Sequence, residues 1–143
     1  MHRNRLTHVV AALVTLMSAA AASPATAGPR ETPLDQYAAA AKAADPAFSG
    51  FSAARGKTLH TQSFGGGKPD TPACTTCHGN DTRASGRNRA GKSIDAMAVS
   101  VTPGRYTDSA KVEKWFKRNC AEVLGRECTP QEKGDWLSFM LGQ

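Results

Sequence analysis

The chain has 143 residues and four cysteines, a length that allows one small domain. Its 18 basic and 12 acidic side chains give a formal net charge of +6. This mildly basic balance lacks the density of positive charge typical of nucleic-acid-binding proteins, so nucleic acid is excluded as a partner. At most, the charge favours an acidic protein surface as a partner.

The N-terminus has the order of a secretory signal peptide. Arg3 and Arg5 precede the apolar run VVAALVTLMSAAAA, and Ala25-Thr26-Ala27 fits a small-x-small cleavage pattern. The run is shorter than the about 20 residues that span a bilayer, so no stable membrane insertion is expected after cleavage, although an uncleaved anchor is the alternative. We predict a signal peptide over 1–27 and one domain over 28–143, exported to the periplasm.

Four segments carry the start and stop signals of helices. The first has a threonine cap followed by proline and a run of alanines, and the last begins with TPQE, a capping box with proline at its first helical position. No strand pattern of useful length is present, so the predicted class is all-α. The predicted helices are 32–44, 52 to about 64, 107 or 108 to about 119, and a segment from 129 onward.

A long irregular segment separates the second and third predicted helices. The stretch GGGKPDTP cannot lie in a regular element, and residues 79–107 are polar, turn-rich and basic, with one short apolar piece, 94–101, that could be helical. A loop of this length is uncommon in a compact domain unless it wraps something large. The pattern therefore indicates a cofactor that forms part of the core.

The strongest motif is Cys74-Thr75-Thr76-Cys77-His78, which is C-x-x-C-H, the attachment signature of c-type haem. Two thiols at this spacing can add to the two vinyl groups of one porphyrin, and the next histidine can give an imidazole nitrogen to the iron. The alternatives are a redox disulfide or a zinc site completed by Cys120 and Cys128. Zinc pairs usually have a tight C-x₂₋₄-C spacing, which Cys120 and Cys128 lack, so the motif favours haem.

Residues 86–93, GRNRAGKS, also match the phosphate-binding pattern G-x-x-x-x-G-K-[ST]. That pattern binds nucleotide only where it joins a buried strand to a helix. The preceding residues, CHGNDTRAS, are not a strand. We interpret the stretch as a solvated basic loop.

The sixth coordination position of such a haem decides the function, and the sequence offers four candidates. Met140 lies on a helix stripe with Trp136 and is expected in the core. Met97 lies where a methionine ligand would be sought, but a core or anchoring role is the alternative. His60 lies on a partly apolar helix, where histidines are usually packed or exposed. Asn119 is either a helix C-cap or a ligand, and its residue type leaves both open.

Several stretches resemble the sphaeroides haem protein family of small bacterial cytochromes c. They are TPACTTCHG, RAGKSI, TPGRYTDSAKVEKWFKRNC, GREC and TPQEK, and the likeness covers nearly all of 50–143. The resemblance implies a small class I-like cytochrome c fold, with about four helices around one covalently bound haem c. It also implies iron ligation by His78 and Asn119, a disulfide between Cys120 and Cys128, and as redox partners a dihaem cytochrome c and a membrane cytochrome b.

The third predicted helix fits this resemblance. Val112, Trp115, Phe116 and Asn119 lie at i, i+3, i+4 and i+7, so packing of Trp115 and Phe116 on the haem would aim Asn119 at the same cofactor. An amide oxygen is a hard, weak ligand that suits ferric better than ferrous iron. Reduction should then open a site for O2, NO or CO.

The predicted function is electron transfer coupled to binding of such a diatomic gas, by a redox protein rather than a dedicated enzyme, although oxygen reduction stays open. The alternative is a simple electron shuttle with Met97 as a permanent sixth ligand. Basic residues on another face of the third helix, Lys111, Lys114, Lys117 and Arg118, are either merely solvated or steer an acidic partner.

Overall fold

The computed structural model describes residues 32–143, and the predicted signal peptide lies outside this range. Within it, the chain forms five helices and one short antiparallel hairpin, in which Gly86 pairs with Ile94. None of these helices has the length and apolar character needed to cross a membrane. The elements are α1 (Pro33–Ala44), α2 (Ala53–Thr61), α3 (Thr75–His78), β1 (Gly86–Arg87), β2 (Ser93–Ile94), α4 (Ser109–Leu124) and α5 (Pro130–Leu141).

The helix starts follow from local capping chemistry. Thr32 and Thr129 each form a capping box with the acidic residue three positions later, and a proline occupies the first turn of both α1 and α5. The side chains of Ser52 and Asp108 accept hydrogen bonds from backbone N–H groups in the first turns of α2 and α4. The all-α prediction is confirmed, with four helices of nine residues or more.

Two predicted helix ends were wrong, and a segment whose structure was left open is now defined. Helix α4 continues past Asn119 to Leu124, where Gly125 adopts a left-handed conformation and ends it, so Asn119 is not a C-cap. Helix α2 ends at Thr61, short of the predicted end near Phe64. The apolar piece 94–101 is not helical, because it begins in β2 and continues as turns.

The packing of the fold centres on the crossing of α2 and α5. At the closest approach, a Cβ added to Gly56 would lie 2.0 Å from the Asp135 carbonyl oxygen and 2.9 Å from the Trp136 Cα. Only glycine fits between these backbones. Arg55 reinforces the crossing through two hydrogen bonds of 2.6 and 2.8 Å to the buried Asp135 carboxylate. The crossing thus brings two backbones into direct contact.

Two apolar clusters surround the crossing. The larger one joins α1, α4 and α5, with Trp136 in edge contact with both Phe116 and Tyr106. The smaller one contains Cys120, Val123, Leu124 and Cys128, against which Phe64, Leu59, Phe116 and Cys74 pack. Phe116 therefore belongs to both clusters.

Hydrogen bonds to the carboxylate of Glu113 hold the start of α4 against α1 and α5. The Glu113 carboxylate accepts hydrogen bonds from the Tyr37 hydroxyl, at 2.7 Å, and from the Lys133 ammonium, at 2.6 Å. Although partial burial alone would raise the pKa of Glu113, these two hydrogen bonds leave it lowered, so the carboxylate stays ionised. The first turns of α4 are thereby held in place.

We predict that Gly56→Ala lowers the free energy of unfolding by about 1–3 kcal/mol, because the new methyl group must push α2 and α5 apart. Urea denaturation measures the effect. Gly65→Ala is the matched control, since a Cβ there meets nothing within 4 Å. Equal stability of the two variants would contradict the close approach described above.

Candidate functional site

The C-x-x-C-H motif forms the one-turn helix α3. The backbone N–H groups of Cys77 and His78 both donate to the Cys74 carbonyl, at 3.3 and 3.1 Å, which closes the turn. The Cys74 and Cys77 thiols are free and partly buried. One helical turn thus carries two free thiols and one imidazole, the set that attachment of a haem requires.

His78 has the properties expected of an axial ligand to a haem iron. Its Nδ1 is buried and has no hydrogen-bond partner in the described part of the chain. Burial, with smaller contributions from nearby His60 and Arg105, lowers the pKa of His78 to about 4, so its imidazole is neutral near pH 7. Neutral imidazole is the form that binds metals, and the residues therefore fit a haem iron.

The cysteine arrangement rules out the zinc alternative. Cys120 and Cys128 form a disulfide, with a Cα–Cα distance of 5.6 Å, so they cannot complete a Cys₄ site with Cys74 and Cys77. Across residues 32–143, no three His, Cys, Asp or Glu side chains cluster as metal ligands do. Burial raises the pKa of Cys74 to about 11, so this thiol stays protonated.

Asn119 lies at the edge of the buried face of α4. Phe116 and Cys120 flank it on the side that packs into the protein, and Trp115, one turn earlier, is 45% exposed. The Asn119 side chain itself is half-buried. The guanidinium of Arg118 stacks 5.6 Å from the centre of the Trp115 ring. The assignment of Trp115 and Phe116 to a haem surface stays a prediction.

The end of α4 is joined to the segment that leads into the haem motif. The Glu122 carbonyl accepts a hydrogen bond of 2.7 Å from the Lys68 N–H and one of 3.3 Å from the Thr71 hydroxyl. The disulfide holds Cys120, the residue after Asn119, to the chain just before α5. Cys74 packs against this same cluster. The segments carrying Asn119 and the C-x-x-C-H motif are therefore joined through the same apolar cluster.

Met97 lies in the larger core cluster, and only 6% of it is exposed. Its sulfur accepts a hydrogen bond of 3.0 Å from the Arg105 guanidinium, and its backbone oxygen accepts one of 2.9 Å from the Tyr106 hydroxyl. Met140 is fully buried in the same cluster, as its helix stripe predicts. The sulfur of Met97 is thus engaged within the protein.

His60 is also committed to other contacts. Its Nδ1 lies 3.3 Å from the Trp136 Nε1, and its Nε2 lies 3.2 Å from the Gly79 oxygen. With both ring nitrogens occupied, His60 has none to offer an iron in this arrangement. This pairing could not be predicted from the sequence, because it depends on the crossing of α2 and α5.

The long loop has two other features, a hairpin that agrees with the sequence interpretation and an arginine that the sequence analysis missed. Residues 86–94 form a small hairpin closed by hydrogen bonds from the Asn88 side chain to the N–H groups of Ala90 and Lys92. This hairpin does not join a buried strand to a helix, so the phosphate-binding interpretation is excluded as expected. Arg105, whose charge reaches His78, was missed because a lone arginine in a turn carries no recognisable pattern.

A small helical fold in which one turn presents two free thiols and a neutral histidine is that of a c-type cytochrome. Residues 46–140 match a family described as Domain of unknown function (DUF1924). The chain is 48% identical over 131 residues to the cytochrome c-type protein SHP of Cereibacter sphaeroides, which covers 90% of this chain and 96% of that protein. It is 33% identical over 107 residues to cytochrome c'' of Methylophilus methylotrophus, which covers 74% of each.

Solved structures agree. Oxidised SHP, an oxygen-binding cytochrome c, superposes with a TM-score of 0.70 at 49% identity, covering 80% of this chain and all of that one. A crystal structure of oxidised cytochrome c'' gives 0.67 at 31% identity, covering 78% and 91%. A solution structure of cytochrome c'', which addresses haem-ligand detachment, gives 0.67 at 32%, covering 78% and 90%.

The chain therefore belongs to the SHP family of c-type cytochromes, and it carries covalently bound haem c.

We predict that replacing both Cys120 and Cys128 by serine lowers the free energy of unfolding by roughly 2.5 kcal/mol, the chain-entropy value for a disulfide spanning eight positions. Guanidinium denaturation of the haem-loaded protein measures it. An unchanged midpoint in the double variant would show that the bond does not stabilise the fold.

Proposed function

We propose that this chain is an exported, periplasmic monohaem cytochrome c in which His78 and Asn119 are the axial ligands and Asn119 leaves on reduction, so that electron transfer is coupled to binding of O2, NO or CO. A bound haem would supply a redox-active iron. His78 would hold this iron through its neutral imidazole. Asn119 would offer its amide oxygen, which is a weaker ligand for ferrous than for ferric iron.

The observation that carries this proposal is the position of Asn119. Its side chain is half-buried in the middle of α4, on the flank of the buried face, and the next residue is held by a disulfide. The Asn119 carboxamide does not cap the helix, and the disulfide at Cys120 holds α4 next to it. This arrangement suits a ligand that must leave the iron and return to the same place. Once released, its NH₂ group can donate a hydrogen bond to a bound diatomic molecule.

The relatives support the same interpretation. SHP is described as an oxygen-binding cytochrome c, and the solution structure of cytochrome c'' addresses detachment of a haem ligand. At 48% identity to SHP, this chain is close enough for such behaviour to be expected of it.

The competing function is a plain electron shuttle with Met97 as the sixth ligand. The structure weighs against it, because the Met97 sulfur already accepts a hydrogen bond from Arg105 in the core cluster. Ligation would require breaking that hydrogen bond and withdrawing the side chain from its apolar contacts.

We predict that the wild-type haem-loaded protein is low-spin when ferric, becomes high-spin when reduced with dithionite, and then binds CO rapidly. Asn119→Ala should be high-spin in both states, because no side chain fills the sixth position. Absorption spectra and stopped-flow mixing with CO measure both. Met97→Leu is the control, a swap of similar volume that should keep the wild-type spectra.

A wild-type protein that stays low-spin on reduction and does not bind CO would contradict the gated site. If Met97→Leu then lost the low-spin ferric spectrum, the electron-shuttle function would replace the proposed one.

We also propose that the electron comes from an acidic partner, such as a dihaem cytochrome c or a membrane cytochrome b, that docks on one face of α4. Lys111, Lys114 and Lys117 are exposed there and form no ion pair within the part of the chain that the structure describes. Their positive charge can steer a negatively charged molecule towards this face. Arg118, by contrast, lies 3.7 Å from Glu122 and stacks on Trp115.

We predict that replacing Lys111, Lys114 and Lys117 by glutamate slows oxidation of the reduced protein by ferricyanide, an anionic probe, more than the same change at Lys42, Lys57 and Lys92. The two triple variants have equal net charge, so the difference isolates location. Both effects should shrink as ionic strength rises. Equal slowing by the two variants would show that only net charge matters and would reject a docking face on α4.

A further inference from the structure

A buried hydrogen-bonded chain leads from α5 to the residue after the axial histidine. His60 is 1% exposed, and the Trp136 Nε1 lies 3.3 Å from its Nδ1. Because an indole N–H can only donate, His60 Nδ1 must be the acceptor. The proton of the neutral ring then lies on Nε2, which donates to the Gly79 carbonyl oxygen at 3.2 Å. The tautomer of His60 is fixed by its neighbours.

The final acceptor in this series of hydrogen bonds, Gly79, has an unusual backbone conformation. Gly79 ends α3 with φ of 72° and ψ of 173°, a conformation open essentially to glycine alone. Its N–H donates to the Thr75 carbonyl at 2.8 Å, so both sides of Gly79 are held, one by α3 and one by His60. Gly79 directly follows His78 in the chain, and a shift in its backbone changes where the His78 side chain points.

The same histidine borders the ligand itself. The centres of the His60 and His78 rings are 6.4 Å apart, and the two planes are inclined by only 33°. On its other sides His60 contacts the rings of Trp136 and Phe139 on α5. An apolar ring would fill the position of His60 at the helix crossing. The residue there is nevertheless a polar histidine, and both of its ring nitrogens are hydrogen-bonded. Packing alone does not require a histidine at this position.

We propose that His60 is a positioning residue, which uses the hydrogen-bonded chain from Trp136 to Gly79 to fix the orientation of the His78 imidazole on the haem iron. The hydrogen bond from Trp136 fixes the tautomer of His60. The hydrogen bond from His60 then holds the Gly79 carbonyl in place, next to His78 in the sequence. Neighbours that orient an axial histidine tune its electronic interaction with the metal. This role does not depend on which residue occupies the sixth position, so it stands apart from the proposed gas-binding function.

Three variants of the haem-loaded protein separate orientation from packing. His60→Phe keeps an aromatic ring in the core and removes both hydrogen bonds. His60→Gln restores a side-chain N–H that can reach the Gly79 carbonyl. Leu59→Met, on the neighbouring residue of α2, is the control for general disturbance of the helix. The readouts are the reduction potential and the ferric electron paramagnetic resonance spectrum, whose g values report the orientation of the axial imidazole.

We expect His60→Phe to shift both the g values and the potential away from wild type, His60→Gln to move both back towards it, and Leu59→Met to leave both unchanged. Wild-type g values and potential in all variants, with at most a lower melting temperature, would reduce His60 to a core residue and overturn the proposal.

Nitrogen-15 NMR of the unmodified reduced protein with CO gives a test that does not depend on variants that fold. We expect His60 to show a protonated Nε2 and an unprotonated, hydrogen-bonded Nδ1, with the Nε2 proton exchanging slowly with solvent. A protonated Nδ1, or rapid exchange at Nε2, would also overturn the proposal.

Discussion

The contact between the α2 and α5 backbones at Gly56 is the constraint on which the rest of the structure depends. Since no side chain separates the helices there, the residues on either side of the crossing meet at close range. His60, one turn beyond Gly56, therefore reaches Trp136 and the end of the haem motif. The buried Asp135 carboxylate fixes the same crossing through Arg55 and the Ser52 N–H. The surroundings of His78 are thus built on a helix pair and not only on the segment that carries this residue.

The helix that carries the proposed second ligand, α4, is held by different contacts. Helix α4 is joined to its neighbours at both ends, by Glu113 near its start and by the Cys120 disulfide and the Glu122 carbonyl near its end. Phe116 belongs to both apolar clusters and so connects α4 to the crossing of α2 and α5. This division suits a cytochrome in which one axial ligand is permanent and the other is proposed to move. The long loop between them can then be irregular without loss of precision at the ligands.

Much of this could be read from the sequence, where the signals were local. The threonine caps of α1 and α5 depend on neighbouring residues, and the structure has them as predicted. The end of α4 was misjudged because Asn119 was treated as a stop signal, although Val123 and Leu124 continue the apolar face and Gly125 supplies a stronger stop. The roles of His60 and Arg105 arise only when distant segments meet, so no sequence pattern announces them. The assignment of Asn119 as ligand came from family resemblance and stays a proposal.

The fixed ends of α4 also bear on the speed of the proposed switch. Because contacts hold α4 at both ends, we expect the proposed release of Asn119 to occur by rotation about its own side-chain bonds rather than by a shift of the helix. Side-chain rotation takes picoseconds to nanoseconds when it is unhindered, whereas collective helix shifts take microseconds to milliseconds. The opening of the iron would then follow the arriving electron almost at once, and the rate of the whole cycle would be set by encounter with the electron donor and with the gas.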